Sequence, residues 1–198
     1  MATIEPKTWL LIGRVAAMLG LFYAAWLGMQ VVHEAGHAVV AWSTGGAVTN
    51  IDLPLLGISR TDVRPNPRPL AVAWAGPIVG AIAPLLLVLL VRRRIGTCGD
   101  ATSSAGARRQ LLIGLADFFA GFCLIGNGAY IGIGSFERIG DAGDLLRHGS
   151  PQWLLVAFGV AAISAGLFIW HRALERSRQQ PRVHDLPEQS EEMLKGEC

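Results

Sequence analysis

At 198 residues the chain has the length of a single domain, with 52% apolar residues, only 16% charged residues and a mean hydropathy of +0.41. Soluble domains carry about a quarter charged residues, so an ordinary soluble domain is excluded. The net charge of +2 is slight and its basic residues sit beside apolar segments, which leaves no basic face for nucleic acid; Cys98, Cys123 and Cys198 form neither a disulfide framework nor a CxxC metal pair.

The long uncharged stretches predict membrane spans joined by charged loops. The first helical segment runs from Trp9 to about Trp42, strongly apolar from Val15. No cleavable signal peptide is expected, because this stretch outruns a signal's apolar region and carries polar residues of chemical interest. Ser43-Thr44-Gly45-Gly46 stops the helix. Residues 47–68 mix Val48, Ile51, Leu53 and Ile58 with polar residues, prolines and a glycine, which predicts a small β-hairpin or re-entrant loop. A second span is expected at 69–91, with Pro77 and Pro84 inside and Arg92-Arg93-Arg94 at its end. Residues 95–107 read as a linker, 110–134 as a third span carrying Asp117 and Asn127, 135–150 as a polar loop, and 152–170 as a fourth span. The expected architecture is therefore an all-α membrane protein of about four transmembrane helices with a small β element after the first. Residues 1–171 form one membrane-embedded domain, and 172–198 a charged, disordered tail with a helical extension near Arg172 to Arg178. Trp9, Trp153 and Trp170 are expected in the interfacial belt. Basic residues near the termini and around 92–109 outnumber those in 47–68 and 135–150. That bias places both termini of this multi-pass chain in the cytoplasm.

His33-Glu34-Ala35-Gly36-His37 is an HExxH motif. On a helix, positions i and i+4 share a face, so two imidazoles can hold one tetrahedral zinc ion. A zinc ion lowers the pKa of a water it holds to about 7, and Glu34 is placed to take that proton. Ionisable groups are costly inside a membrane span, which makes this cluster a functional candidate. Catalytic zinc sites usually have three protein ligands. The residue types leave Asp117, Glu137, Asp141, Asp144, His148 and His171 as candidates for the third, with the carboxylates of Gly140-Asp141-Ala142-Gly143-Asp144 able to approach a metal closely.

The chain resembles the site-2 protease family of intramembrane zinc metalloproteases. HEAGH lies in the first core helix, with Gly36 before His37 as in the family's HExGH form. A glycine-rich exit and strand-like stretch follow, from Gly45 to Leu56-Gly57, and Ala75-Gly76-Pro77 is similar to the family's AGP motif. Asn127 and Asp141 fall in the order of its Asn and Asp-Gly elements. Here Ala142 replaces the glycine after Asp141, the proline after the Asn is absent, and the Asn-to-Asp gap is longer. No PDZ-like insertion is present between these motifs, so the resemblance is to a minimal member. It implies one zinc ion per chain held by His33, His37 and Asp141, with Asp144 the alternative third ligand. It makes Glu34 the catalytic base, gives Asn127 a role in binding substrate, and turns Leu145 and Leu146 to the core. Residues 47–58 would pair with an unwound substrate strand. The implied activity is zinc-dependent cleavage of a membrane-spanning or membrane-adjacent protein. The alternative is a non-catalytic membrane scaffold or chaperone that keeps the zinc site.

Overall fold

The computed structural model describes residues 6–95 and 104–179. In chain order these form α1 (Pro6–Ser43), β1 (Val48–Asp52), β2 (Arg60–Val63), α2 (Pro69–Ile95), α3 (Ser104–Glu137), α4 (Gly140–Arg147) and α5 (Gln152–Gln179). Among the described residues four helices, α1, α2, α3 and α5, are long and apolar enough to cross a membrane. The two strands pair antiparallel directly after the first helix, Ile51 opposite Thr61 and Asp52 opposite Arg60. The expected fold class therefore holds. At 38 residues, α1 is about 57 Å long at 1.5 Å per residue. That is nearly twice the hydrocarbon core of about 30 Å, so α1 must tilt or reach beyond it.

One of the expected elements changes. The segment 135–150 is not a loop throughout, because its middle folds as α4. The apolar residues of that stretch, sparse in sequence, fall on one helical face: Ala142, Gly143 and Leu145 are buried. The helical extension expected near Arg172 to Arg178 is present, because α5 continues to Gln179. Residues 180–198, the rest of the expected tail, and 96–103, most of the expected linker, lie outside the described residues. As expected of the second span, α2 is one helix containing both Pro77 and Pro84.

Packing centres on α3. It meets α5 where Gly132 lies against Gly159, small residues that let the two backbones approach. Ala73, Ile131, Ala142, Leu145 and Leu155 form one buried cluster that ties α2, α3, α4 and α5 together. Trp170 does not act simply as a belt residue. Its Nε1 donates to the Phe118 carbonyl at 3.0 Å and its ring stacks on Phe118 at 5.6 Å. Trp9 and Trp153 are exposed, as a belt requires.

Toward the start of α3, Asp117 is buried and held from two sides. Arg92 of α2 donates to one carboxylate oxygen at 2.7 Å and Arg176 of α5 to the other at 2.6 Å. Stripping a buried charge of its partners costs about 3–5 kcal/mol. The double variant Arg92→Ala/Arg176→Ala is accordingly expected to lower thermal stability in detergent by about that much, and adding Asp117→Asn to restore most of it. Unchanged unfolding of the double variant would show that the triad does not tie the bundle.

Candidate metal centre

His33 and His37 lie one turn apart on α1, near its C-terminal end, and both are buried. They face α2 because α1 and α2 pack at Gly36. A methyl group on Gly36 would stand 2.6 Å from the Ala75 carbonyl oxygen and 2.9 Å from Val79 Cβ. Across that contact Gly76 fits under the imidazoles. A Cβ there would collide with His37 Nε2 and lie 2.7 Å from His33 Nε2. The glycines of HEAGH and of Ala75-Gly76-Pro77 therefore meet, and the space of one missing side chain is the space between the two rings.

The third side chain comes from α4. The chain turns from α3 into α4 through Arg138 and Gly140, both with positive φ, a conformation that glycine adopts without strain. Leu145 is buried in the core, and Asp141, one turn earlier on the same face, is carried toward the histidines. The Asp141 N–H donates to the Tyr130 hydroxyl at 3.3 Å. Its Oδ2 lies 2.7 Å from His33 Nε2 and 3.2 Å from His37 Nε2, and the two Nε2 atoms are 3.1 Å apart.

The outer nitrogens decide what these three atoms can do. His37 Nδ1 is 2.7 Å from the Val72 carbonyl oxygen, which only accepts, so Nδ1 carries the hydrogen. Asn127 Nδ2 donates to the Cys123 carbonyl at 2.8 Å, which turns its Oδ1 to His33 Nδ1 at 2.6 Å. His33 Nδ1 carries its hydrogen too. Each neutral ring then presents a lone pair at Nε2, and the carboxylate oxygen presents another. Three acceptors this close repel one another unless a cation, either a proton or a metal ion, lies among them. Around zinc, bonds of about 2.0–2.1 Å set tetrahedral ligand atoms about 3.3 Å apart, close to the 2.7, 3.1 and 3.2 Å found. Among the described residues, His33, His37 and Asp141 are the one group of three placed to hold a metal.

The other expected ligands are elsewhere. Asp144 pairs with Arg147 and lines the wide cavity without joining the triad, Asp117 is taken by its arginines, and His171 pairs with Glu175 at 3.3 Å. Glu137 is exposed at the end of α3. His148 lines the wide cavity beside the triad.

Glu34 is 3% exposed and is gripped by the hairpin. The Ser59 hydroxyl donates to Oε1 and the Thr61 hydroxyl to Oε2, both at 2.6 Å. Ser59 and Thr61 are two apart in extended chain and so share a face. That alternation was the available signal for them, and sequence reasoning passed over it. A carboxylate has about four lone-pair sites, so each Glu34 oxygen keeps one after accepting from the hairpin. Glu34, His37 and Asp141 open onto a cavity of about 470 Å³ whose other walls include β2 and α4.

The model of the Peptidase M50B-like family matches residues 10–131. That is more than half of the chain. The chain belongs to the Peptidase M50B-like family. No curated protein and no solved structure matches it. The matched span of this family member contains the HEAGH helix, the hairpin, Gly76 and Asn127, and stops before Asp141. The three-dimensional structure is what joins Asp141 to the two histidines.

Proposed function

We propose that this M50B-like chain is a zinc-dependent intramembrane endopeptidase acting on a membrane-spanning or membrane-adjacent protein. The observation that carries the reading is the convergence of three lone-pair atoms, His33 Nε2, His37 Nε2 and Asp141 Oδ2, within 3.2 Å of one another. Their rings are locked in one tautomer by Val72 and Asn127. His33, His37 and Asp141 would hold a zinc ion, which would supply a Lewis acid to activate water and polarise the scissile carbonyl. Glu34, facing the same cavity, takes the proton of the attacking water and passes it to the leaving amine. Ser59 and Thr61 fix the Glu34 carboxylate in one orientation, which spares it that ordering at the moment of reaction. Asn127 orients His33 through its ring N–H, the kind of outer contact that metal-binding histidines generally need. It also lines the smaller cavity beside the site, in keeping with the substrate-binding role that the resemblance implies for it. The hairpin brings a strand edge to the same mouth, suited to pairing with an extended substrate.

The test is metal content of the full-length protein in detergent. Wild type is expected to hold one zinc per chain and Asp144→Ala to hold the same. Asp141→Ala and His37→Ala are expected to lose affinity by more than the about 10- to 100-fold typical of outer-contact changes. Folded wild-type protein that takes up no zinc when it is supplied would overturn the reading.

A further inference from the structure

A second cavity, of about 110 Å³, lies between α1 and α3. It shares Glu34, Ile58, Ser59 and Tyr130 with the larger cavity, so these residues form the wall between the two. His33 and Asn127 also line it. A strand passing from the larger cavity into the smaller therefore crosses Glu34 and the metal-facing histidine.

One residue of this cavity is unexplained by anything above. Gln30 lies one turn before Glu34 on α1 and is 4% exposed. Among the described residues neither its Nε2 nor its Oε1 has a hydrogen-bond partner. Burying an amide with donor and acceptor both idle is unfavourable, and leucine of nearly the same size would not incur that cost. The cavity surface is mostly apolar, and Trp26, Met29 and Ile58 line it with Gln30. A primary amide offers one acceptor and N–H donors, the complement of a peptide N–H and C=O. At about 110 Å³ the cavity is smaller than the roughly 150 Å³ that takes a benzene ring, so it suits a small side chain better than an aromatic one.

We propose that this cavity is a substrate subsite. It takes one small apolar side chain of the strand being cleaved, and Gln30 hydrogen-bonds the main-chain amide of that residue. The inference rests on the peptidase reading of the metal centre and adds to it a specificity-determining residue. Gln30 is kept at a cost to the empty protein because its partners arrive with substrate.

The experiment uses zinc-loaded full-length protein in detergent and three hydroxamates, whose metal-binding group is common to all. Acetohydroxamate reaches the metal alone; N-acetyl-alanine hydroxamate adds a small side chain and an amide; N-acetyl-phenylalanine hydroxamate adds a bulky one. Wild type is expected to bind the alanine compound more tightly than acetohydroxamate, and the phenylalanine compound no more tightly. Gln30→Leu is expected to lose about tenfold for the alanine compound, the scale of one lost hydrogen bond, with acetohydroxamate binding unchanged. N-methylation of the acetamide should cost wild type a similar factor and cost Gln30→Leu nothing more, which isolates the contact as a double-mutant cycle. Gln30→Leu and Gln30→Met should both melt higher than wild type. A purely structural glutamine predicts lower melting and equal losses for all three compounds. If acetohydroxamate binds but Gln30→Leu leaves the alanine compound unaffected, the subsite is overturned while the metal centre stands. If acetohydroxamate fails to bind zinc-loaded wild type, the metal centre itself is overturned and the subsite with it.

Discussion

Glu34→Gln is expected to keep its zinc and its fold while losing cleavage by about 10²- to 10⁴-fold, the usual contribution of a positioned acid–base group. Glutamine has the shape of glutamate, and its remaining oxygen can still accept from Ser59 or Thr61. The new amide hydrogens can be taken by the other hydroxyl, which accepts as well as donates. Glu34 is not among the three convergent metal-facing atoms, so metal content should not change. What is lost is the lone pair that receives a proton. The measurement pairs zinc content and melting temperature with cleavage of single-span reporter proteins reconstituted with the enzyme, with products identified by mass spectrometry. Wild-type cleavage that persists undiminished in Glu34→Gln would remove Glu34 as the base. Zinc-loaded wild type that cleaves no reporter, beside a Glu34→Gln variant with an unaltered cellular phenotype, would favour the scaffold reading.

Gly76→Ala is expected to be nearly as damaging, for a reason that has nothing to do with acid–base chemistry. The added Cβ falls on His37 Nε2 and 2.7 Å from His33 Nε2, within the space the metal-facing nitrogens occupy. The rings cannot simply rotate away, because Val72 and Asn127 hold their outer nitrogens. Moving α2 outward would undo the close packing of Gly36 on Ala75. Zinc affinity should fall by at least about 100-fold, the upper range for disturbing a metal site from outside, and overpacking should cost about 1–3 kcal/mol of stability. Gly13→Ala is the matched control. Nothing lies within 4 Å of its added Cβ, and alanine is the better helix former, so zinc binding should stay and stability rise slightly. Zinc titrations of the two variants decide the matter. Wild-type affinity in Gly76→Ala would mean that helix spacing does not shape the centre.

Much of this was legible in the sequence because membrane spans and HExxH are local signals. Apolar runs mark the helices, and the four-residue spacing of His33 and His37 places them on one face whatever the fold. Asp141 was legible only by its order relative to the motifs, since composition offered Asp144 equally. The choice between them turns on which helical face Leu145 buries, and that depends on α2, α3 and α5 closing around it. Helix α4 itself went unread because eight residues carry too few turns to display a period amid charged neighbours. Ser59, Thr61 and Gln30 were also missed. Ser59 and Thr61 act through a side chain 25 or more positions away, and Gln30 stands out only once burial shows that nothing satisfies it. Asn127 stands out in the sequence as a polar residue inside a span, but only the structure reveals its grip on His33 Nδ1.

The ion triad and the His33–Asn127 bond sit on the same helix, ten residues apart in sequence, or about 15 Å along α3. Each is directional, and each engages different neighbours: α2 and α5 at one point, α1 at the other. A helix fastened at two such points behaves like a shaft keyed at both ends. Sliding it by one turn, about 5.4 Å, or rotating it by one residue breaks both fastenings at once. The register of α3 against its neighbours is thereby fixed by groups other than the three metal-facing atoms, and with it the position of His33 along the bundle.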